Sequence, residues 1–367
     1  MSESRLRGFL DELVERREVA HAVMAVERGD GSFRWAGAAG DADGAGTPMR
    51  ETTPYHVASV TKPYTAAAIL RLHERGALSI EQPITDLLPA SVTDGLHRLG
   101  GTDHTPEITV RHLLQHTSGL ANYFEDRPRG GKSLGEEVFD GADRTWTIEE
   151  CSERVRMLRP HFPPGRRIRY SDTNFQLLGA IAAAVTGNSY QRVVRDELLE
   201  PLGLRSTWFP GDEPDGAPAA ARLFAGGRPL EAPGALRSVA PDGGLVSTVD
   251  DGIAFLRALF GGAVFERPET LRAMTSGWRR FGLPTDAAAI RAPSWPIQYA
   301  LGTMRFQLPR AFTGFRRLPA LIGHTGSTGS WLFHAPDANL YLAGTVDEVS
   351  SGAVPYRLLP KVLRALT

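Results

Sequence analysis

The feature that most constrains this chain is where its strand-like and helix-like segments fall. Near the N-terminus, AHAVMAVERGDGSFRWAGAAGDAD reads as two strands joined at Gly29-Asp30-Gly31, a hairpin turn signal. Near the C-terminus, YALGTMRF (299–306), LIGHTG (321–326), SWLFHAP (330–336) and LYLAGTV (340–346) read as strands, with Pro336-Asp337-Ala338-Asn339 turning the last pair. Between them lie helical patterns: TVRHLLQH (109–116), TNFQLLGAIAAAVTG (173–187), SYQRVVRDELLEPLG (189–203) and TVDDGIAFLRALFGG (248–262), the last preceded by a capping-box-like Ser247 to Asp250. An amphipathic helix (Leu6, Phe9, Leu10, Leu13) opens the chain and PYRLLPKVLRAL closes it. Strands at both ends and helices between predict one sheet made by the two termini, with a helical domain inserted. The Pro/Gly-rich stretches 121–146, 210–240 and 276–318 are long for connections and are candidates for substrate-lining loops.

One residue choice then stands out. The chain has 41 basic residues, and only Lys62, Lys132 and Lys361 are lysines. Arg keeps its proton at any workable pH, whereas a desolvated Lys can lose it. Lys62 lies in HVASVTKP (56–63), three residues after Ser59. Pro63 fits only near a helix start, because its missing N–H would cost a bond further in. The helix through YTAAAILRLHERG therefore begins at or beside Ser59 and ends at Gly76. Side chains three apart at a helix start share a face, so Lys62 can take the Ser59 proton. The N-terminal N–H dipoles would favour negative charge on a reacting oxygen. On S-x-x-K alone, a capping Ser followed by a solvated Lys explains the pattern as well.

Composition narrows the function classes. With 42% hydrophobic and 23% charged residues and a net charge of −1, the chain reads as soluble and globular, with no field to recruit nucleic acid or an anionic membrane. The single Cys151, read as an inert thiol, allows no intramolecular disulfide. No zinc-ligand spacing, phosphate-cradling Gly loop or paired acids at glycosidase spacing is identifiable, so no metal and no cofactor are expected. No signal-peptide pattern and no run of eighteen apolar residues occurs, so the expected location is cytoplasmic, with no membrane partner.

Two further stretches complete a constellation. RIRYSDTNFQLLG places Tyr170 in an extended run before a helix, with Asp172 two residues on and so on the same side. LIGHTGSTGSWLF places His324-Thr325-Gly326 in a strand whose glycines permit close approach. The three boxes resemble S-x-x-K, Y-x-N and K-T-G of the serine β-lactamase and penicillin-recognising superfamily. The resemblance is to the branch with class C β-lactamases, D-stereospecific peptidases, family VIII esterases and related acyltransferases. It extends through ITVRHLLQHTSGL (108–120), LLEPLGLRSTWF (198–209) and GGLVSTVDD (243–251), and runs roughly from Val23 to Val346.

The resemblance implies an α+β, β-lactamase/transpeptidase-like fold with an antiparallel sheet flanked by helices. The sheet domain would comprise 1–62 and 262–367, the helical domain 63–261, and the active site the cleft between. It implies Ser59 as nucleophile, Lys62 as base or proton relay, and Tyr170 as the acid/base serving the leaving group and the deacylating water. The N–H groups of Ser59 and Ser327 would form an oxyanion hole. Asp172, His324, Thr325 and Gly326 would contact substrate, with Tyr123 lining the pocket and His116 to Gly119 giving structural support. Trp278, Trp295 and the arginines of 279–317 fit an aromatic or anionic-substrate site, but such residues more often cover loops and solvate a face, and no role is assigned to them.

Two departures bear on substrate. His324 stands where the motif has Lys, removing a permanent cation and making carboxypeptidase or efficient β-lactamase activity less expected. Asp172 stands where it has Asn, and an ionised Asp cannot donate to a substrate carbonyl. Asp172 either caps the following helix or works in the site, by pairing with Lys62 or by binding a cationic group. The leading reading is a serine hydrolase of esters or small amides, D-amino-acid-type included, working through an acyl-enzyme at Ser59. One alternative hands the acyl group to an alcohol or amine; another is a non-catalytic binding module, which would be expected to have lost Ser59, Lys62 or Tyr170. Acyl group, leaving group, stereochemical preference and oligomeric state are not fixed by the sequence.

Overall fold

The computed structural model describes residues 2–15, 19–283 and 293–367. Its centre is an eight-stranded antiparallel sheet of β1 (His21–Arg28), β2 (Arg34–Gly40), β3 (Arg279–Arg280), β4 (Gln298–Tyr299), β5 (Met304–Phe306), β6 (Leu321–Thr325), β7 (Trp331–Ala335) and β8 (Leu340–Thr345). The order across the sheet is β2-β1-β8-β7-β6-β5-β4-β3. The N-terminal hairpin thus adds to the C-terminal meander through β1 and β8, with Val23 opposite Thr345 and Arg28 opposite Leu340.

Both faces of this sheet are covered, and the side-chain period of two sorts the residues. On β1, Val23 and Ala25 join the core beneath the helical segments, while Ala22, Met24 and Val26 join a second core on the opposite face. That second core is closed by the terminal helices, α1 (Ser2–Glu15) through Leu6 and Leu10, and the last helix (Val354–Leu366) through Leu359 and Val362. Double burial explains why the inner strands read as apolar runs rather than as alternating patterns.

The helical region holds α2 (Thr61–Glu74), α3 (Val110–Leu114), α4 (Asp172–Thr186), α5 (Tyr190–Val194) and α6 (Val249–Phe260), and the chain ends in α7 (Val354–Leu366). Helix α2 is buried along most of its length and stops where Gly76 turns with φ +74°. It lies against the sheet at Gly302, where a Cβ would sit 2.1 Å from the Ala66 Cβ. Gly302, with φ +79°, also corrects one sequence expectation: 299–306 is not one strand but β4 and β5 joined by a turn. The cap of α6 is shifted by one residue from the expected Ser247 to Asp250. Thr248 accepts from Asp251 N, while the Asp251 carboxylate turns away to Ser206 N and Thr207 Oγ1. Each long connection contains short elements, such as Leu134–Phe139, Pro233–Ser238 and β3, and residues 284–292 lie outside the described set. Among the described residues no helix is long and apolar enough to cross a membrane. Cys151 is buried, and burial pushes its thiol up, as an inert thiol requires.

Candidate active site

Ser59 occupies a single 3₁₀ turn, Ala58–Val60, immediately before α2. Ala58 has φ +47°, a left-handed conformation that an alanine adopts only when its surroundings impose it. Those surroundings are visible. Ser330 Oγ donates to Val57 O at 2.6 Å, Thr328 Oγ1 to His56 O at 3.3 Å, and Val57 N to Leu245 O at 3.0 Å. Gly326, just beyond β6, has no room for a side chain. A Cβ there would lie 2.2 Å from Ser330 Oγ, 2.7 Å from Val57 O and 2.9 Å from the Ala58 Cβ. The β6–β7 turn is thereby clamped onto the serine turn, and Ser59 and Ser327 line one cavity.

Lys62, the second residue of α2, is wholly buried. Its Nζ reaches three oxygens: Ser59 Oγ at 2.9 Å, Asp242 O at 2.5 Å and Asp172 Oδ1 at 2.8 Å. An ammonium has three N–H donors, and here each has an acceptor. A neutral amine has two N–H groups and a lone pair. Of the three oxygens only the Ser59 hydroxyl carries a proton, so the lone pair would face Oγ. The same three contacts therefore suit the lysine before and after it takes the serine proton.

Tyr170 sits beside them, with its ring centroid 5.0 Å from Lys62 Nζ and its side chain lining the same cavity as Ser59. Burial, then the Asp172 carboxylate, hold its phenol well above the usual range. Tyr170 is accordingly a proton donor at rest, not a phenolate base. Asp172 opens α4 but makes no capping bond. The N-cap is Ser171, whose side chain donates instead to Ala121 O, and Asp172 spends its carboxylate on Lys62 and, at 3.0 Å, on Asn122 Nδ2. Asp172 thus pairs with Lys62 and does not cap α4.

The loop carrying Tyr170 is held by the His116–Gly119 stretch. His116 Nδ1 accepts from Ser171 N at 3.2 Å and Asn174 Nδ2 at 2.9 Å, and its ring lies 4.4 Å from that of Tyr170. Ser118 Oγ donates to Asn174 Oδ1, and Gly119 leaves space for Phe162 O, which a Cβ would approach to 1.9 Å. Burial, then the Lys62 charge, keep His116 well below its usual range, so it acts as a neutral acceptor.

A second carboxyl, absent from the sequence reading, lies behind Lys62. Asp242 is buried on a short helix (Ala240–Gly243) and accepts from Tyr123 Oη at 3.0 Å and Gln176 Nε2 at 3.2 Å. That segment is fixed to α2 by Thr65 Oγ1 donating to Pro241 O and Leu245 N donating to Thr61 Oγ1. Burial, then the Asp172 charge, push its carboxyl up to about 8, against the opposing pull of Lys62, Tyr123 and Gln176. The one signal in the sequence was its place in APDGGLVST, one residue before the GGLVSTVDD stretch. Asn122 was missed as well, lying three residues past Gly119 in a stretch with no pattern of its own.

The cavity has a volume of about 1310 Å³ and draws its wall from all three long connections, through residues such as Asn122, Phe124, Leu223, Leu236, Arg279 and Trp295. It brings together Ser59, Tyr170, Asp172, Thr325, Gly326 and Ser327. Two expected members are placed elsewhere. Tyr123 is buried and faces Asp242, opposite to its neighbours Asn122 and Phe124, so it does not line the wall. His324 alternates with Thr325 on β6. Thr325 faces the cavity and bonds Tyr356, whereas His324 turns inward, its Nε2 3.2 Å from Tyr299 Oη and its Nδ1 2.6 Å from Thr325 O. Burial, then the Lys62 charge, push its imidazole down to about 3, so it supplies no cation. Trp278 is half-buried and outside the wall, and Arg291 falls outside the described residues.

Comparison with known proteins gives the same picture of fold and chemistry. The family model described as Beta-lactamase matches residues 6–357. Esterase EstB of Burkholderia gladioli is 32% identical over 328 residues, 81% of this chain and 78% of EstB. A D-stereospecific amidohydrolase from a Streptomyces species superposes with TM-score 0.72 at 27% identity, covering 99% of this chain and 98% of the other. The D-amino acid amidase of Ochrobactrum anthropi SV3, solved with L-phenylalanine amide, superposes with TM-score 0.77 over 99% and 98% of the two chains; at 22% identity it attests the fold.

Proposed function

The chain belongs to the beta-lactamase family and is a serine hydrolase of that fold; we propose that it cleaves an ester or a small amide, D-amino-acid-type included, through an acyl-enzyme at Ser59. The observation that carries this is the contact of Lys62 Nζ with Ser59 Oγ at 2.9 Å, with the Tyr170 ring centroid 5.0 Å from the same nitrogen and Tyr170 lining the same cavity. Oγ attacks the carbonyl carbon as its proton moves to the Lys62 lone pair. The tetrahedral oxygen is met by the N–H groups of Ser59 and Ser327. Collapse breaks the bond to the leaving group, which takes a proton from Tyr170, itself resupplied from Lys62. Water then enters in place of the leaving group, gives its proton back along the same route and releases the acid. Removal of one oxyanion donor costs ~2.7–4 kcal/mol in related chemistry.

The two departures shape the substrate. With His324 neutral and turned inward, no fixed cation stands at the start of the third motif. That supports simple esters and amides over β-lactams. The names of EstB and of the amidohydrolase support the same two classes. Handing the acyl group to an alcohol or amine uses the same first half-reaction, and a cavity of about 1310 Å³ exceeds the roughly 300–1,000 Å³ that a single small ligand needs.

The test is intact-protein mass spectrometry after mixing wild type and Ser59→Ala with a short-chain activated ester, with and without an amine acceptor. A mass gain in wild type alone, clearing with time, is expected. Faster clearing with a new amide product would favour transfer. No gain and no product with esters, amides or β-lactams would overturn the hydrolase mechanism in favour of a binding role.

A further inference from the structure

Charge in the cavity wall is unevenly matched. Arg169 pairs with Asp126 at 3.1 Å, which also meets His161 at 3.0 Å, and Asp172 pairs with Lys62. Asp242 lies at the buried end with its carboxyl in a hydrogen-bonded network, and Glu125 follows Phe124 on the helical side. Four other lining residues, Arg166, Arg167, Arg279 and Arg280, are exposed, and none makes an ion pair with a described residue.

The two arginine pairs come from distant parts of the fold and line one cavity. Arg166 and Arg167 precede Tyr170 in its loop; Arg279 and Arg280 form β3, the edge strand of the sheet. His112 on α3 lies close to the residue before Arg166 and within the field of Arg279. A Cβ on Gly165 would lie 3.2 Å from His112 Nε2, and burial, then the charges of Arg111 and Arg279, push the His112 imidazole below its usual range. Cationic residues gathered round one cavity raise its positive potential, and a bound anion relieves it. Guanidinium forks match the paired oxygens of a carboxylate or phosphate. The same wall also carries apolar side chains, among them Ile168, Phe281, Ile297 and Phe306.

From this arrangement, and resting on the acyl-enzyme reading above, we infer that the substrate carries an anionic group, carboxylate or phosphate, at one end, held by Arg166, Arg167, Arg279 and Arg280 across an apolar spacer from the scissile carbonyl. The site is distinct from the His324-Thr325-Gly326 strand and does not replace the cation that strand lacks.

Two series of activated esters test this, one varying the acyl chain and one the alcohol. Each compares a terminal carboxylate, phosphate or ammonium with the neutral chain of equal length. In wild type, kcat/KM for an anionic member of at least one series exceeds its neutral counterpart by roughly tenfold, and the ratio falls as salt is raised. In Arg166→Gln/Arg167→Gln and Arg279→Gln/Arg280→Gln the ratio drops toward one. A wild-type ratio near one in both series, or a preference that survives loss of all four arginines, overturns the inference. If no ester of either kind is cleaved, the acyl-enzyme reading fails. The anion site is then judged by calorimetric titration of Ser59→Ala with the same esters, where equal binding of charged and neutral members overturns it.

Discussion

The nucleophile corner and the acid corner of this site meet at one nitrogen, yet they are built in opposite ways. Ser59 and Lys62 are three residues apart on one turn-and-helix, and their geometry follows from local chain statistics. Asp172 and Asp242 arrive at Lys62 from two other segments, seventy residues apart from each other, placed by Asn122, Tyr123, Gln176 and the anchors to α2. A local corner can be read from spacing, whereas one assembled over distance needs the fold. The two also differ in charge logic: the first moves a proton, and the second fixes where that proton can go.

Breaking the local corner has the largest expected effect. Lys62→Arg keeps a cation on the same turn but removes the ability to hold a lone pair toward Oγ, and we expect kcat/KM to fall by about 10³-fold or more. Activity near wild type would show that proton transfer does not run through Lys62. Tyr170→Phe removes the donor for the leaving group and should cost about 10²–10³-fold, more for an amide than for an activated ester whose leaving group needs no proton. Equal losses on both substrates would remove Tyr170 from that role.

The acid corner should respond differently. Asp172→Asn keeps an oxygen within reach of Lys62 but not the charge, so substrate preference across a panel of esters and amides should change more than turnover does. Total loss of activity would break that expectation. Asp242→Asn is read most clearly in stability. A carboxyl with an ordinary value of 3.8 that rises to about 8 on folding contributes its full stability below pH ~4 and loses it as pH climbs toward 8. The Asn variant cannot ionise, so its melting temperature should fall less than wild type's over that interval. Parallel curves would mean Asp242 is ionised throughout. Gly119→Ala, which forces a Cβ onto Phe162 O at φ +77°, is expected to cost about 1–3 kcal/mol in chemical denaturation.

What the sequence disclosed follows the same division. The sheet from two termini was legible because its strands are doubly buried and bounded by Gly, Pro and Asn turns, and the start of α2 because Pro63 tolerates no other place. The hairpin inside 299–306 was not legible, since the need for Gly302 to turn comes from Ala66 on a distant helix. The sides taken by Tyr123 and His324 were misjudged for a related reason. A motif names positions on a strand or loop, but only packing decides which of two alternating neighbours faces the cavity. Asp242 and Asn122 carried no spacing signal to any other functional residue, and the four arginines of the wall become a cluster only when β3 folds beside the Tyr170 loop.

The three fixed oxygens around Lys62 Nζ have a kinetic consequence. Because the contact set is the same whether the nitrogen carries three hydrogens or two, passing a proton from Ser59 requires no side chain to rotate and no solvent to reorient. The barrier to that transfer is then set by the difference in proton affinity and hardly at all by reorganisation. A probe of motion around Lys62 should find it as still in the acyl-enzyme as in the resting protein.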